Sequence, residues 1–309
     1  MAVARRSGIG VVEQRPARRA VLVAVQDRDG AATSPSLAEL RRLADACALA
    51  VAGVVVQTRA RPDPDTYLSA GKVAELAVTA AVVRADVVIA EDGLSARQTR
   101  ALEERTGVPV VDRATLILDI FDRHGHGSGV APLCGVDRMP AVVLAGYTNA
   151  GKSALLNRLS GAAVPSTDVL FATLDPVVRP VRANGHAFAL ADTVGIVRHL
   201  PYRRVPAFRS TLDALRHADL TLHVVDAAAP DALDQISAVH DVRREIGAGH
   251  LPELLVLNKV DIARPAGLTA LRRTFPDPVA VSARTGAGVP ALLRAVVTRL
   301  RQVELGAVP

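Results

Sequence analysis

Gly146, Tyr147, Thr148, Asn149, Ala150, Gly151, Lys152 and Ser153 constrain the fold of this 309-residue chain more than any other segment. They match the P-loop pattern, with the apolar run 141–145 before them and a helical stretch beginning at Lys152. In that setting the glycines permit a tight turn whose backbone N–H groups point at a β-phosphate. Lys152 can reach the β- and γ-phosphates, and Ser153 can ligate Mg2+ at the helix start. A strand that runs through such a loop into a helix belongs to an α/β sheet.

The length calls for two domains of ordinary size. Residues 20–25, 52–57, 86–90 and 108–111 read as strands. Helices are expected from Pro35 behind a Ser34 cap, over 71–84, from a Ser95 cap to 106, and over 114–122. Residues 20–123 therefore read as a small parallel α/β N-terminal domain, preceded by a basic, flexible arm over 1–19. Residues 124–139 are expected to form a short linker, because Gly, Pro, Ser and His replace any period there. A second domain, 140–304, alternates strands (141–145, 177–182, 187–191, 220–226, 254–257, 278–281) with helices from Lys152 and Arg209 and over 231–246, 268–275 and 290–303. Its sheet is predicted mostly parallel with helices on both faces, and 305–309 is a tail.

Half of the residues are hydrophobic but Trp is absent and Tyr and Phe are scarce, so the cores must be built from Ala, Val and Leu. No apolar run reaches the roughly 18 residues that cross a bilayer, and the arm with Arg5, Arg6, Arg15, Arg18 and Arg19 lacks the apolar segment of a secretory signal. Cytoplasmic residence and a monomer are expected. Cys47 and Cys134 are too few for a disulfide framework, and His124 and His126 read as linker residues rather than metal ligands. The net charge of +6 is compatible with an RNA-containing partner, and equally with an arginine-favouring genome. Lysine is more telling. It occurs only at Lys72, Lys152 and Lys259, and two of these fall inside nucleotide motifs, where a compact ammonium is not replaceable by a guanidinium.

Three further motifs end predicted strands. Asp192, Thr193, Val194 and Gly195 follow a hydrophobic run, as a carboxylate facing Mg2+ through water must, with the Gly195 N–H available to a γ-phosphate. Asn258, Lys259, Val260 and Asp261 place a carboxylate that can accept from N1–H and N2–H2 of guanine, a donor pair adenine lacks; this opposes an ATPase reading. Ser282, Ala283 and Arg284 follow the last strand, where the Ala283 N–H can contact guanine O6. Thr173, within Phe171, Ala172, Thr173, Leu174 and Asp175, is the expected switch I threonine. Its hydroxyl would complete the Mg2+ shell and its N–H would bind the γ-phosphate, the other reading being a loop threonine that caps a turn. Lys152, Thr173 and Gly195 are thus the expected catalytic groups, and Ser153, Thr173 and (through water) Asp192 the expected metal ligands. Ile196 stands where a water-orienting Gln follows this motif in Ras, so intrinsic hydrolysis should be slow. Asn149 could offer an oxygen to a K+ ion bridging the phosphates, or be present because a loop tolerates it. The whole describes a Ras-like P-loop G domain that binds GTP and GDP.

The P-loop string, the run 170–176, Asp192 to Gly195 and the run 207–212 resemble the HflX family of translation GTPases. The resemblance continues through 62–73, 86–95 and 111–121. It implies binding to the 50S ribosomal subunit or rRNA, ribosome-stimulated GTP hydrolysis, and a role in rescuing or splitting stalled ribosomes. Members of that family usually carry a long, charged helical linker between the domains, which is nearly missing here, and usually a Phe at the position of Ile196. A GTP-responsive binding module without ribosome splitting is the alternative. Gly71 and Lys72 lie in the part of the N-terminal domain that the family associates with a second nucleotide or RNA-related activity; a helix-opening Gly beside a solvated Lys is the other reading.

Overall fold

A computed structural model of the chain describes residues 18–26, 35–124, 139–161, 177–197 and 208–305. Strand β1 (Arg18–Gln26) has no solvent exposure from Ala20 to Ala24, so both of its faces are covered and it must be an inner strand. It pairs in parallel with β2 (Leu49–Thr58) and β3 (Val87–Ala90), and β4 (Val110–Asp112) joins β3, giving the order β2-β1-β3-β4. Alternation then sorts the side chains. Ala20, Leu22 and Ala24 face helices α1 (Pro35–Ala46) and α4 (Arg113–His124), while Val21 and Val23 face α2 (Ala70–Val82) and α3 (Ala96–Thr106).

Local chemistry sets the ends of these elements. Ser95 forms a full capping box with Gln98, and Gly107, at φ +72°, closes α3 in the left-handed region. Helix α2 stops at Val82 rather than 84, because Arg84 takes φ +51°. Strand β4 begins at Val110 rather than 108: Pro109 has no N–H, and the Thr106 hydroxyl turns back onto Val108 O. Helix α4 continues to His124, so that residue ends a helix instead of opening a linker; no helix breaker precedes Gly125. The segment 62–73 is a structured turn. Asp63 Oδ1 accepts from the N–H groups of Asp65 and Thr66, and the buried Tyr67, at φ +64°, donates its hydroxyl to Asp92 Oδ2 at 2.9 Å. Burial and the adjacent Asp92 push the Tyr67 phenol far above its ordinary range.

The second sheet has the order β10-β9-β8-β5-β7-β6, from β5 (Ala141–Gly146), β6 (Val177–Ala183), β7 (His186–Asp192), β8 (Leu220–Asp226), β9 (Glu253–Asn258) and the two-residue β10 (Val279–Ala280). Only β6 runs antiparallel. Val142 and Leu144 of β5 face α5 (Lys152–Ser160) and α9 (Val289–Glu304). Val143 and Ala145 face α6 (Arg209–Arg216) and α7 (Ala232–Glu245), and α8 (Pro265–Thr274) covers β9 further along. The apolar cluster on the Val143 and Ala145 face continues into α1 and α4, so Leu40, Ile117, Ile196, Phe208 and Leu212 belong to one core.

Truncating Leu22, fully buried in β1, should cost about 2–5 kcal/mol, read as a lower denaturant midpoint at unchanged slope. Val78→Ala, at an exposed α2 position, should stay within about 0.5 kcal/mol of the parent.

Candidate nucleotide site

Strand β5 leaves the sheet at Gly146, where the backbone passes so close to β8 that a Cβ would lie 2.2 Å from Val224 O. No other residue fits. The loop then turns through Asn149 at φ +61° and Gly151 at φ +90° before α5 begins. The left-handed backbone at Asn149 accounts for an asparagine there without a cation. Lys152 is 6% exposed and folds onto its own loop, its Nζ donating to Gly146 O at 3.2 Å and Tyr147 O at 3.0 Å. Burial lowers its pKa to about 8, with Asp192 opposing the shift and Lys259 adding to it.

Asp192, the last residue of β7, is fully buried and accepts from the Ser153 hydroxyl at 2.5 Å. A hydroxyl and a carboxylate are hard oxygen donors, and their meeting at the start of α5 fits a Mg2+ ion. Beyond Asp192 the chain stays tied to the P-loop. The Thr193 hydroxyl donates to Leu144 O, the Ile196 N–H to Gly146 O at 3.0 Å, and the Thr148 N–H to Ile196 O at 2.8 Å. Val194 N–H meets the Thr211 hydroxyl at 3.3 Å. Gly195 is obligatory at this crossing, since a Cβ would lie 2.7 Å from Thr148 Cα. The Ile196 side chain is buried in the apolar core, as its chemistry requires.

At the far end of the site Asn258 is 1% exposed. It donates Nδ2 to Ala150 O at 2.9 Å and accepts the Ala283 N–H on Oδ1 at 3.0 Å. That N–H, expected on a purine oxygen, is thus directed at Asn258 here. Lys259, at φ +61°, pairs with Asp226 at 2.8 Å, and the Val260 N–H donates to Val281 O. Asp261 Oδ2 accepts from Arg284 Nη2 at 2.5 Å and Nε at 2.9 Å. Hydrogen bonds from Ser282 and Arg284 hold the Asp261 carboxyl below its ordinary range, so it is ionised at neutral pH. Arg158 of α5 closes the arrangement by donating to the carbonyls of Ala283 and Arg284.

The structure therefore brings four of the five motifs together around the ends of β5, β7 and β9 and the turn after β10. The fifth, Phe171, Ala172, Thr173, Leu174 and Asp175, lies outside the described residues, as do Ser34, Cys134 and residues 125–138. Lys72 pairs with Glu75 at 2.8 Å in the first turn of α2. Two clusters of charged and polar residues have no signature in the sequence. Tyr147 reaches Glu39 of α1, a contact no local spacing announces. His223, His240 and Glu253 converge from β8, α7 and β9, with Glu253 Oε1 taking His223 Nδ1 at 2.7 Å and His240 Nε2 at 3.0 Å. Arg243 pairs with the other oxygen of Glu253, so the carboxylate is satisfied by hydrogen bonds alone. Burial pushes both imidazoles below their ordinary range, which keeps them neutral.

Residues 34–122 match the family described as GTP-binding GTPase N-terminal, and residues 141–259 the family described as 50S ribosome-binding GTPase. The GTPase HflX of Escherichia coli strain K12 is 33% identical over 356 residues, covering 91% of this chain and 83% of that protein. The GTPase HflX of Alkalihalophilus pseudofirmus is 34% identical over 320 residues, covering 81% and 76%. A GTP-binding protein from the hyperthermophilic archaeon Sulfolobus solfataricus, solved in complex with GDP, aligns over 93% of this chain and 99% of its own with 19% identity and a TM-score of 0.46. The alignment with the Escherichia coli protein is longer than this 309-residue chain, so that relative has stretches without counterpart here. By its likeness to these curated GTPases along most of its length, the chain belongs to the HflX family and is a GTP-binding hydrolase of GTP.

Proposed function

We propose that this GTPase is Mg2+-dependent and works as a switch on the large ribosomal subunit, in the rescue or splitting of stalled ribosomes. The observation that carries the metal assignment is the 2.5 Å pair of Ser153 and Asp192 beside the buried Lys152. In this reading the residues from Gly146 to Ser153 hold the phosphates, Ser153 and Thr173 ligate Mg2+, and Asp192 meets it through water. Gly195 and Thr173 sense the γ-phosphate. Asp261 reads guanine once Arg284, whose side chain is 74% exposed, swings aside. When bound, the ion would neutralise charge developing on the β- and γ-oxygens.

The ribosomal role rests on the family description matched by residues 141–259. A second reading, a GTP-responsive module with little turnover, is favoured by Ile196, which is buried in the core and cannot orient a water. Co-sedimentation with 50S subunits in GDP and in a non-hydrolysable GTP analogue, paired with single-turnover hydrolysis, separates the two. GTP-form binding that survives raised salt, with faster hydrolysis, supports the switch. Equal binding in both nucleotide states, lost with salt and without stimulation, sinks the ribosomal role.

Two variants and a titration probe the nucleotide assignments. Asp261→Asn should move preference from guanine to xanthine nucleotides, and an unchanged preference would remove the base assignment. Lys152→Ala should abolish measurable nucleotide binding. Phosphate contact favours the protonated Lys152, whose pKa in the free protein is about 8. Affinity for GDP should therefore be flat below pH 8 and fall above it by up to about tenfold per unit.

A further inference from the structure

The N-terminal unit meets the phosphate loop at the Tyr147 side chain. Tyr147 is 3% exposed, and its hydroxyl donates to Glu39 Oε2 at 2.5 Å. Glu39, on α1 and equally buried, faces Arg113 at the start of α4, with Nη1 3.5 Å from Glu39 Oε1 and Nη2 4.0 Å from Glu91 Oε1. Ser36 fixes the guanidinium by accepting from Nη2 on its carbonyl (3.0 Å) and its hydroxyl (2.8 Å). A buried guanidinium with two carboxylates is a poor source of stability compared with apolar packing of the same volume. Its arrangement does, however, fix where one carboxylate oxygen meets Tyr147.

What depends on Tyr147 is the loop itself. Its carbonyl accepts from Lys152 Nζ at 3.0 Å and from the Ala150 N–H at 3.2 Å. Its backbone bridges to Ile196, and the next residue, Thr148, is the surface on which Gly195 rests. A shift of Tyr147 would thus move the resting place of Lys152, the turn of the loop and the segment after Asp192 together.

We propose that Glu39, held in place by Arg113, is a positioning residue for the phosphate loop that acts through the Tyr147 hydroxyl, so that the N-terminal unit sets nucleotide affinity and release. The proposal rests on the loop being the nucleotide site, and the experiment keeps the two apart. Fluorescent GDP is titrated and chased from the full chain in the parent, Tyr147→Phe, Glu39→Gln, Glu39→Ala and the Tyr147→Phe/Glu39→Ala pair, with Lys152→Ala as control and thermal unfolding recorded throughout. Tyr147→Phe should weaken GDP binding about fivefold or more, mainly through faster release. Glu39→Gln keeps an acceptor and should remain near the parent, whereas the double variant should be no weaker than Tyr147→Phe alone. Should Glu39→Ala fail to fold, Tyr147→Phe against Glu39→Gln still decides, because both keep the volume. GDP release unchanged in Tyr147→Phe, or changed only in step with a lower melting temperature, overturns the link. Equal GDP binding by Lys152→Ala and the parent would instead overturn the site assignment.

Discussion

The nucleotide site takes its shape from Asn258. One buried amide holds the carbonyl of Ala150 in the P-loop and the N–H of Ala283 in the turn after β10, fixing the distance between these two segments. Gly151 has to be glycine because that amide occupies the space of its side chain: a Cβ would lie 2.4 Å from Asn258 Nδ2. An unpaired amide in this position would carry the full cost of burying a polar group, so the bonds are kept as a set. The left-handed turn at Lys259, the placement of Asp261 and the anchoring by Arg158 all follow from a strand that ends in this residue.

Against that constraint, it is clear why so much of the site could be read from the sequence. Each motif is a short string at the end of an apolar strand, and a parallel sheet brings the carboxyl ends of its strands to one edge. Glycines at 146, 151 and 195 mark places where backbone meets backbone, a requirement visible in residue type alone. The unbroken apolar runs of β1 and β5 agree with their inner places in the two sheets, but the order of the strands is not written in them. What stayed hidden were contacts between residues distant along the chain. Nothing near Tyr147 announces Glu39, and nothing in the spacing of His223, His240 and Glu253 shows that they meet. The folding of Lys152 onto the loop carbonyls and the pairing of Arg284 with Asp261 depend on which partner a long side chain finds, which local pattern does not encode.

The N-terminal unit shows how a family-like string can have a structural reason. Asp63 and Tyr67 are kept by the turn they build, through carboxylate-to-amide bonds and a left-handed tyrosine whose hydroxyl is spent inside the fold. Lys72, in the same string, finds Glu75 three residues on. The Glu39 and Arg113 pair is of another kind, because it costs burial of charge and returns a fixed direction.

The single apolar core shared by α1, α4 and the face of the second sheet bears on how the chain is made. Synthesis delivers the first four strands and their helices well before β5, β7 and α6 leave the ribosome. For that interval Leu40 and Ile117 have no Ile196 or Phe208 to pack against, and the early unit presents an oily flank to the cell. A nascent chain with this order of elements needs either quick arrival of its second half or a chaperone on that flank.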